Sequence, residues 1–321
     1  ELFMANIVLI TVANEYQKTY LEEYIKKQKD NHIDIYVKYE FLIIISANGS
    51  GTAVISAINF KNKNRYKKLL LINSGGKSKR TKMFSKKGKV FIPIPAKDDN
   101  NKIVLDELLN YYHTINNKIV TNGLLVFAAD VIIDNFSLKE EINDTSAITT
   151  LANSKIGKNH GVFLEEDGII SKFLHKQSLD VLKKENAVIN DKVLIDTGIY
   201  FIKDDCLELI NNQYHERYDR DDFIDFYGEI IPFIHERVAI KIIEIKQGVF
   251  YHLGNYKYYR DYIFSKNNVK NNFFIHKSTI DKNVSIGNSS LVFNCKLNDI
   301  NIPDNTIVYE EDGEVKIEEI I

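Results

Sequence analysis

Short apolar runs alternate with amphipathic stretches over the first two-thirds of the chain, a pattern that predicts α/β architecture with a mostly parallel sheet covered by helices. Ile7-Val8-Leu9-Ile10-Thr11-Val12 is apolar at nearly every position and reads as the first strand. Asn14 follows at an N-cap position with Gln17 three residues on, a capping-box spacing. It opens a helix predicted over 16–29, with Tyr20, Leu21, Tyr24 and Ile25 on the apolar side. Further strands are predicted at 41–45, 68–72, 124–128, 193–195 with 199–202, 239–245 and 249–251. Beyond an Asn/Lys-rich stretch at 266–272 the period changes. Phe274, Ile280, Ile286 and Val292 recur every six residues; the step then slips once and resumes at Ile302 and Val308. A hexapeptide step of this kind is the signature of a parallel β-helix. The pattern therefore divides the chain into a domain of residues 1–270 and a short β-helical tail of 271–321.

Charge narrows the partners. Lys and Arg total 42 against 44 Asp and Glu, a formal net charge of -2, which leaves no broad positive field for nucleic acid or an anionic membrane. Cys206 and Cys295 are the two cysteines. They supply neither a disulfide framework nor a cysteine-based zinc site and suit a reducing compartment. No apolar run approaches the ~20 residues of a membrane span. The short apolar stretch at 6–13 has no basic segment before it, unlike a signal peptide. The expectation is a cytoplasmic protein acting on small molecules, with no nucleic acid or membrane partner.

Two glycine loops follow predicted strands. Ala47-Asn48-Gly49-Ser50-Gly51-Thr52-Ala53 leads into a predicted helix, and Ser74-Gly75-Gly76-Lys77-Ser78-Lys79-Arg80 carries three cations. Glycine lets main-chain N–H groups approach phosphate oxygens, and a helix N-terminus adds partial positive charge. Neither loop has the third glycine of a dinucleotide fingerprint or the Gly-Lys-Ser/Thr end of a P-loop. Each alone reads as a turn; the cations raise the second toward a triphosphate site. Gly88-Lys89-Val90-Phe91-Ile92-Pro93-Ile94-Pro95 adds another lysine. Asp130 ends the run 124–129, and an aspartate at the carboxyl end of a buried parallel strand lies on the ligand edge of such a sheet. There it can hold Mg²⁺ or merely cap a turn. The acidic run 219–225 reads as a solvated face, and Tyr256, Tyr258, Tyr259 and Tyr262 as helix packing. No Ser/His/Asp or Cys/His motif suggests a covalent intermediate.

Further pieces continue in order: Ala129-Asp130-Val131, Asn159-His160-Gly161-Val162-Phe163, Phe173-Leu174-His175-Lys176, Ile195-Asp196-Thr197-Gly198-Ile199, Asp225-Phe226-Tyr227-Gly228-Glu229 and Phe250-Tyr251-His252-Leu253-Gly254. With the glycine loops and 88–95 they span most of the chain. Together they resemble the sugar-1-phosphate nucleotidyltransferases, and within these the GDP-L-fucose pyrophosphorylase (fucose-1-phosphate guanylyltransferase) family. The resemblance implies a doubly wound, Rossmann-like nucleotidyltransferase domain, a left-handed β-helix, Mg²⁺ as cofactor, and GTP and L-fucose-1-phosphate as substrates. It assigns Gly49, Ser50, Gly51, Thr52, Ser74, Gly75, Gly76, Lys79 and Arg80 to the nucleotide, and Arg80, Lys89 and Lys176 to catalysis on the phosphates. Asn159, His160, Lys176, Asp196 and Gly198 go to the sugar phosphate, Asp196 and Gly198 at a turn.

The same resemblance makes Asp130 the main metal ligand and puts His252 near the place where many relatives carry a second metal aspartate. Plainer readings stand beside three of these: Lys176 as a solvated charge, Asp196 as a turn initiator, His252 as a packed histidine. Thr81-Lys82-Met83 and Gln177 depart from the family pattern, which has Leu-Pro and proline at those places. In the reaction so implied, a sugar-1-phosphate oxygen attacks the α-phosphorus of the nucleoside triphosphate and pyrophosphate leaves. Another sugar phosphate such as a heptose, another base, or a catalytically silent regulatory chain are the alternatives.

Overall fold

A computed structural model describes residues 7–46, 48–75, 81–95, 101–267, 269 and 272–321. The first strand is β1 (Ile7–Val12), buried at every position, as a parallel strand covered on both faces must be. Asn14 caps α1 (Glu15–Asp30), its side chain accepting from the Gln17 amide at 3.0 Å. Gln17 Oε1 accepts in turn from the Ala13 amide at 2.9 Å, so the reciprocal bond closes one residue before the cap. The helix buries Leu21 and Ile25. The single turn α2 (Asp34–Val37), β2 (Glu40–Ile45), α3 (Ser50–Asn64), β3 (Lys68–Asn73) and β4 (Gly123–Ala128) follow.

These four strands are parallel in the order β2-β1-β3-β4. The chain adds β2 on one side of β1 and then crosses to add β3 on the other, so the order reverses between β1 and β3. At such a reversal the loops leaving the carboxyl ends diverge and open a crevice for a ligand. Ile7, Leu9, Leu69, Leu71 and Leu124 share one core cluster with Ala53, Val54, Ile55, Ala57 and Ile58 of α3.

The other half departs from a mostly parallel sheet. β5 (Val131–Asp134) lies outside the sheet; β6 (Ser146–Asn153), β7 (Gly161–Glu166), β8 (Ile169–His175), β9 (Lys192–Lys203) and β10 (Lys241–Glu244) extend it to nine strands, β2-β1-β3-β4-β9-β6-β10-β8-β7. β9 runs antiparallel to both β4 and β6, and β8 antiparallel to β7 and β10; β10 and β6 are parallel. The sheet is therefore mixed. A physical reason is visible at the β7–β8 turn, Asp167 and Gly168, both at positive φ. Two residues can join antiparallel strands only, since a parallel crossover needs a dozen or so.

The pieces predicted at 193–195 and 199–202 are one strand. Ile148 of β6 pairs with Ile199, while the next residue, Thr149, pairs with Asp196. Thr197 and Gly198 are thus extra residues on β9, with Gly198 at φ +74°. The turn expected at Asp196 and Gly198 is instead a bulge, the device by which a strand re-aims a side chain without ending.

The chain divides into two compact units, Glu1–Lys77 with Leu108–Phe250 and Ser78–Glu107 with Tyr251–Ile321, rather than at residue 270. Aromatic packing inside the second unit explains the difference. Within the helix Tyr256–Asn267, Tyr259 meets Phe84 and Phe293 with ring centroids 5.2 and 5.8 Å apart. Its hydroxyl donates to the Pro93 carbonyl at 2.7 Å, and the Met83 amide donates to the Tyr256 hydroxyl at 2.9 Å. Tyr256, Tyr259 and Tyr262 are buried, in keeping with helix packing.

After β11 (Val249–His252) come β12 (Phe273–His276), β13 (Thr279–Ile280), β14 (Ser285–Ile286), β15 (Ser290–Phe293), β16 (Lys296–Leu297), β17 (Asn301–Ile302), β18 (Thr306–Glu311) and β19 (Glu314–Glu319). β15 pairs in parallel with β12 and β18, β16 with β13, and β17 with β14; β19 turns back antiparallel to β18. Ile280 pairs with Leu297, Ile286 with Ile302 and Val292 with Val308, offsets of 17, 16 and 16 residues. Val292, Leu297, Ile302 and Val308 share one buried cluster. Leu297 is the inward residue that a strict six-residue step passes over. The steps from Val292 to Leu297 and from Leu297 to Ile302 are five residues, which is the origin of the slip.

Candidate active site at the carboxyl edge of the sheet

The crevice between β1 and β3 is organised by a residue that motif reading passed over. Thr11, fully buried near the end of β1, accepts from the amides of Ser74 and Gly75 with its hydroxyl, both at 3.2 Å, and lies 3.2 Å from Asn73 Oδ1. Gly75 is required by sterics: a Cβ there would stand 2.2 Å from the Ser46 carbonyl oxygen. The hydroxyls of Ser46 and Ser74 are both buried without a hydrogen-bond partner among the described residues, an arrangement native proteins keep rare. Of the second loop, Ser74 and Gly75 stand here; Gly76, Lys79 and Arg80 lie outside the described residues, as do Lys77 and Ser78.

The first loop uses its glycines differently. Gly49 has φ +108°, and a Cβ on it would meet the Ile224 carbonyl at 2.3 Å; one on Gly51 would meet Ile224 Cγ2 at 2.5 Å. The Gly51 amide donates to the Ile224 carbonyl at 2.8 Å. The Ser50 hydroxyl donates to Asp225 Oδ1 at 3.0 Å and accepts from the Phe226 amide at 2.9 Å. Thr52 Oγ1 donates to the Asn48 carbonyl at 2.8 Å. These polar groups of Ser50, Gly51 and Thr52 are therefore bonded within the protein. The glycines make room for a neighbouring backbone, and the loop is clasped by 221–226.

Facing this clasp is an acidic edge. Asp130 follows β4 and is 8% exposed, and Asp196, at the bulge of β9, is likewise 8% exposed. Burial lifts the Asp196 carboxyl to about 6, against the pull of Tyr200 and of the Gly198 amide, which donates to Oδ1 at 2.8 Å. The Tyr200 hydroxyl is buried beside Asp196, and burial followed by the Asp196 charge raises it well above the phenol range. Tyr227 joins the pieces. Its hydroxyl approaches the Gly198 carbonyl at 3.5 Å, and burial, then Asp196, Asp130 and Asp225, push it well above the ordinary phenol value. Three carboxylates from three distant parts of the chain thus act on one phenol that stays protonated.

The sugar-phosphate candidates border this edge. A Cβ on Gly161 would stand 2.9 Å from Asp196 Oδ2, which brings the start of β7 against that carboxylate. Asn159 is exposed and His160 half-buried; the His160 ring meets Phe250 edge-on at 5.4 Å. Lys176 is exposed, holds φ +51°, and donates its amide to the His160 carbonyl at 2.9 Å. The neighbouring His175 has its imidazole lowered by burial and by the Lys176 charge, while the Asp225 charge opposes. Gly198 packs against Ala128, two residues before Asp130. Lys89 and His252 belong to the second unit, Lys89 half-buried in a short turn of 3-10 helix, and the His252 ring laid against Gly254 so closely that a Cβ there would be 2.2 Å from Cε1.

Asp225 and Tyr227 were legible only as part of a motif, and the acidic run around them reads as surface. Asp225 is in fact half-buried and caps the π-type turn Phe226–Ile230 through the Tyr227 amide at 3.2 Å, while Glu229 Oε1 accepts from the Asp225 amide at 3.1 Å. An Asp followed four residues later by Glu was the available signal, a relative of the capping box.

No group of three or more His, Cys, Asp or Glu able to hold a metal ion stands among the described residues. Mg²⁺ bound through one or two carboxylates and substrate phosphates needs no such group. The buried carboxylate of Asp130 on the ligand edge fits that chemistry, whereas the imidazole of His252 is a poor match for a hard cation. No helix among the described residues is long and apolar enough to cross a membrane.

Fold and candidate site together define an α/β domain whose strand order reverses between β1 and β3, with hydroxyls and amides at the carboxyl ends of those strands and carboxylates after β4 and in β9. A family model described as the fucose pyrophosphorylase domain matches residues 62–247, more than half of the chain. The chain belongs to that family. It is 28% identical over 152 residues to the bifunctional fucokinase/GDP-fucose pyrophosphorylase of Arabidopsis thaliana (41% of this chain, 14% of that protein). It is 26% identical over 229 residues to the fucose-1-phosphate guanylyltransferase of Mus musculus (64% of this chain, 38% of that protein). The chain spans well under half the length of these curated relatives. Among solved structures, the CTP:phosphocholine cytidylyltransferase of Streptococcus pneumoniae aligns over 81% of this chain and 97% of its own, at 10% identity and a TM-score of 0.37.

Proposed function

We propose that this chain transfers a nucleotidyl group from a nucleoside triphosphate to a sugar-1-phosphate, with GTP and L-fucose-1-phosphate as the pair that its family and its two curated relatives favour. The observation that carries the reading is that Gly198, in the bulge beside Asp196, packs against Ala128, two residues before Asp130, and against the Tyr227 hydroxyl, within a chain of this family. A sugar-1-phosphate oxygen attacks the α-phosphorus in line; the new P–O bond forms as the bond to the β-phosphate bridging oxygen breaks, and pyrophosphate leaves. The attacker is already an anion, so no protein base is required, and rate comes from positioning and charge neutralisation. Asp130 would hold Mg²⁺, which would supply charge neutralisation at the phosphates.

The other roles follow from the residues. Thr11 holds the amides of Ser74 and Gly75, shaping the nucleotide side. Asp196 has Oδ1 engaged by the Gly198 amide, leaving Oδ2 for a sugar hydroxyl, and the protonated Tyr227 is a hydrogen-bond donor on the same edge. Lys176, Arg80, Lys79 and Lys89 supply positive charge for the phosphates, with Asn159 and His160 on the sugar side. The stacked ladders of 273–309 are a short β-helix in this reading, left-handed as in the family. The test is pyrophosphate release by the purified chain with each of GTP, UTP, CTP and ATP, Mg²⁺ and fucose-1-phosphate. Turnover with GTP is expected; turnover confined to UTP or CTP would overturn the guanylyl assignment.

A further inference from the structure

The segment 221–229 does more than close the first glycine loop. A single carboxylate oxygen, Asp225 Oδ1, accepts both from the Ser50 hydroxyl at 3.0 Å, 175 residues away, and from the Tyr227 amide at 3.2 Å. Its other oxygen is given space by Gly228, where a Cβ would stand 2.7 Å from Oδ2. The neighbouring residues brace the same contact. Ile224 takes the Gly51 amide, and its carbonyl fills the room that Gly49 leaves. Arg217 donates to both the Glu229 carboxylate and the Phe223 carbonyl, fixing the two ends of the segment to one guanidinium. From this braced turn Tyr227 reaches the Gly198 carbonyl beside Asp196. A π-type turn at such a place is a common mark of a functional site.

We propose that Asp225 is a positioning residue: through one oxygen it ties the nucleotide-side glycine loop, by way of Ser50, to the turn that sets Tyr227 on the edge carrying Asp130 and Asp196. The proposal rests on the nucleotidyl-transfer reading for its kinetic consequence. A loop that shifts when a nucleotide enters carries Ser50 with it, and Asp225 passes the shift to Tyr227. The role belongs to the hydrogen-bond geometry and not to the negative charge, because asparagine presents the same Oδ1 to both donors.

The test compares Asp225→Ala, Asp225→Asn, Ser50→Ala and the Ser50→Ala/Asp225→Ala double variant of the whole chain in two measurements. The first is hydrogen exchange of residues 48–56 and 223–230; the second is kcat/KM for fucose-1-phosphate with GTP and Mg²⁺. In Asp225→Ala both segments lose protection together, and kcat/KM falls about tenfold, the loss of a hydrogen bond to a charged group. Asp225→Asn keeps both protections and stays within about threefold of the parent, and the double variant is no worse than Asp225→Ala, as members of one interaction are non-additive. Asp225→Asn as inactive as Asp225→Ala would mean that the charge itself acts on substrate or metal, and the positioning role falls. Unchanged exchange in Asp225→Ala overturns it as well. A parent chain that turns over no triphosphate with any sugar phosphate defeats the nucleotidyl-transfer reading, while exchange in the two segments still decides whether the coupling exists.

Discussion

The two halves of the central sheet hold their polar groups in opposite ways. Along β2, β1 and β3 the buried polar groups at the carboxyl edge are neutral, Thr11, Ser46, Ser74 and the amides of the loop after β3, and the acidic edge begins only with Asp130 after β4. In the mixed half the bulge of β9 buries a carboxyl, Asp196, and surrounds it with Tyr200 and Tyr227. Neutral groups are indifferent to pH, whereas a buried carboxyl couples folding to protons. A site assembled across both halves therefore has a pH-insensitive side and a side whose charge is held at a cost.

The largest effect that would sharpen this contrast is on the parallel side. Gly49→Ala puts a Cβ 2.3 Å from the Ile224 carbonyl at φ +108°, and a destabilisation of about 4 kcal/mol is expected in urea unfolding, from backbone strain and overpacking together. It should be the same at pH 4 and pH 7.

Asp196→Asn addresses the other half. The folded carboxyl sits at about 6, above its unfolded value, so between pH ~4 and ~6 the folded state keeps a proton that the unfolded state releases. Stability contributed by this group is full below that window and is lost as pH rises through it. The asparagine variant should gain about 2 to 3 kcal/mol on the parent between pH 4 and pH 7, while its affinity for sugar phosphate falls. A flat difference would show that the carboxyl is not held against its charge.

Thr11→Val removes the acceptor of two amides without changing shape, and a loss of about 2 kcal/mol is expected, independent of pH. Nucleotide affinity, read by isothermal titration with GTP, should weaken alongside. The smallest change is Gly168→Ala, at φ +78° with open space around it. It tests backbone conformation alone in the β7–β8 turn, at about 1 kcal/mol in the same unfolding experiment.

The parallel half was also the legible half. Runs such as Ile7–Val12 and Lys68–Asn73 announce buried parallel strands because every position is covered, and Asn14 announces its helix because a cap is a contact over three residues. The mixed half was less so. The two pieces of β9 are regular on both sides of a bulge, and nothing local tells a bulge from a turn when Asp and Gly serve both. Asp225 looked like surface because its neighbours in sequence are charged, while its partner Ser50 is 175 residues away. Of the site, Asp130 could be placed from its position after a strand; Thr11 and Tyr227 could not, since neither carries a motif of its own.

By itself, then, the order of residues determined the strands of the parallel half, the first helix and, but for Leu297, the inward residues of the stacked ladders. Each of these is set by contacts within a few residues or by a period. Tertiary structure alone decided that the sheet is mixed, that Gly49 and Gly51 leave room for Ile224, and that the charges of Asp130, Asp196 and Asp225 all act on the Tyr227 phenol. Those outcomes depend on which distant segments pack together, and burial and charge act through space without regard to separation along the chain.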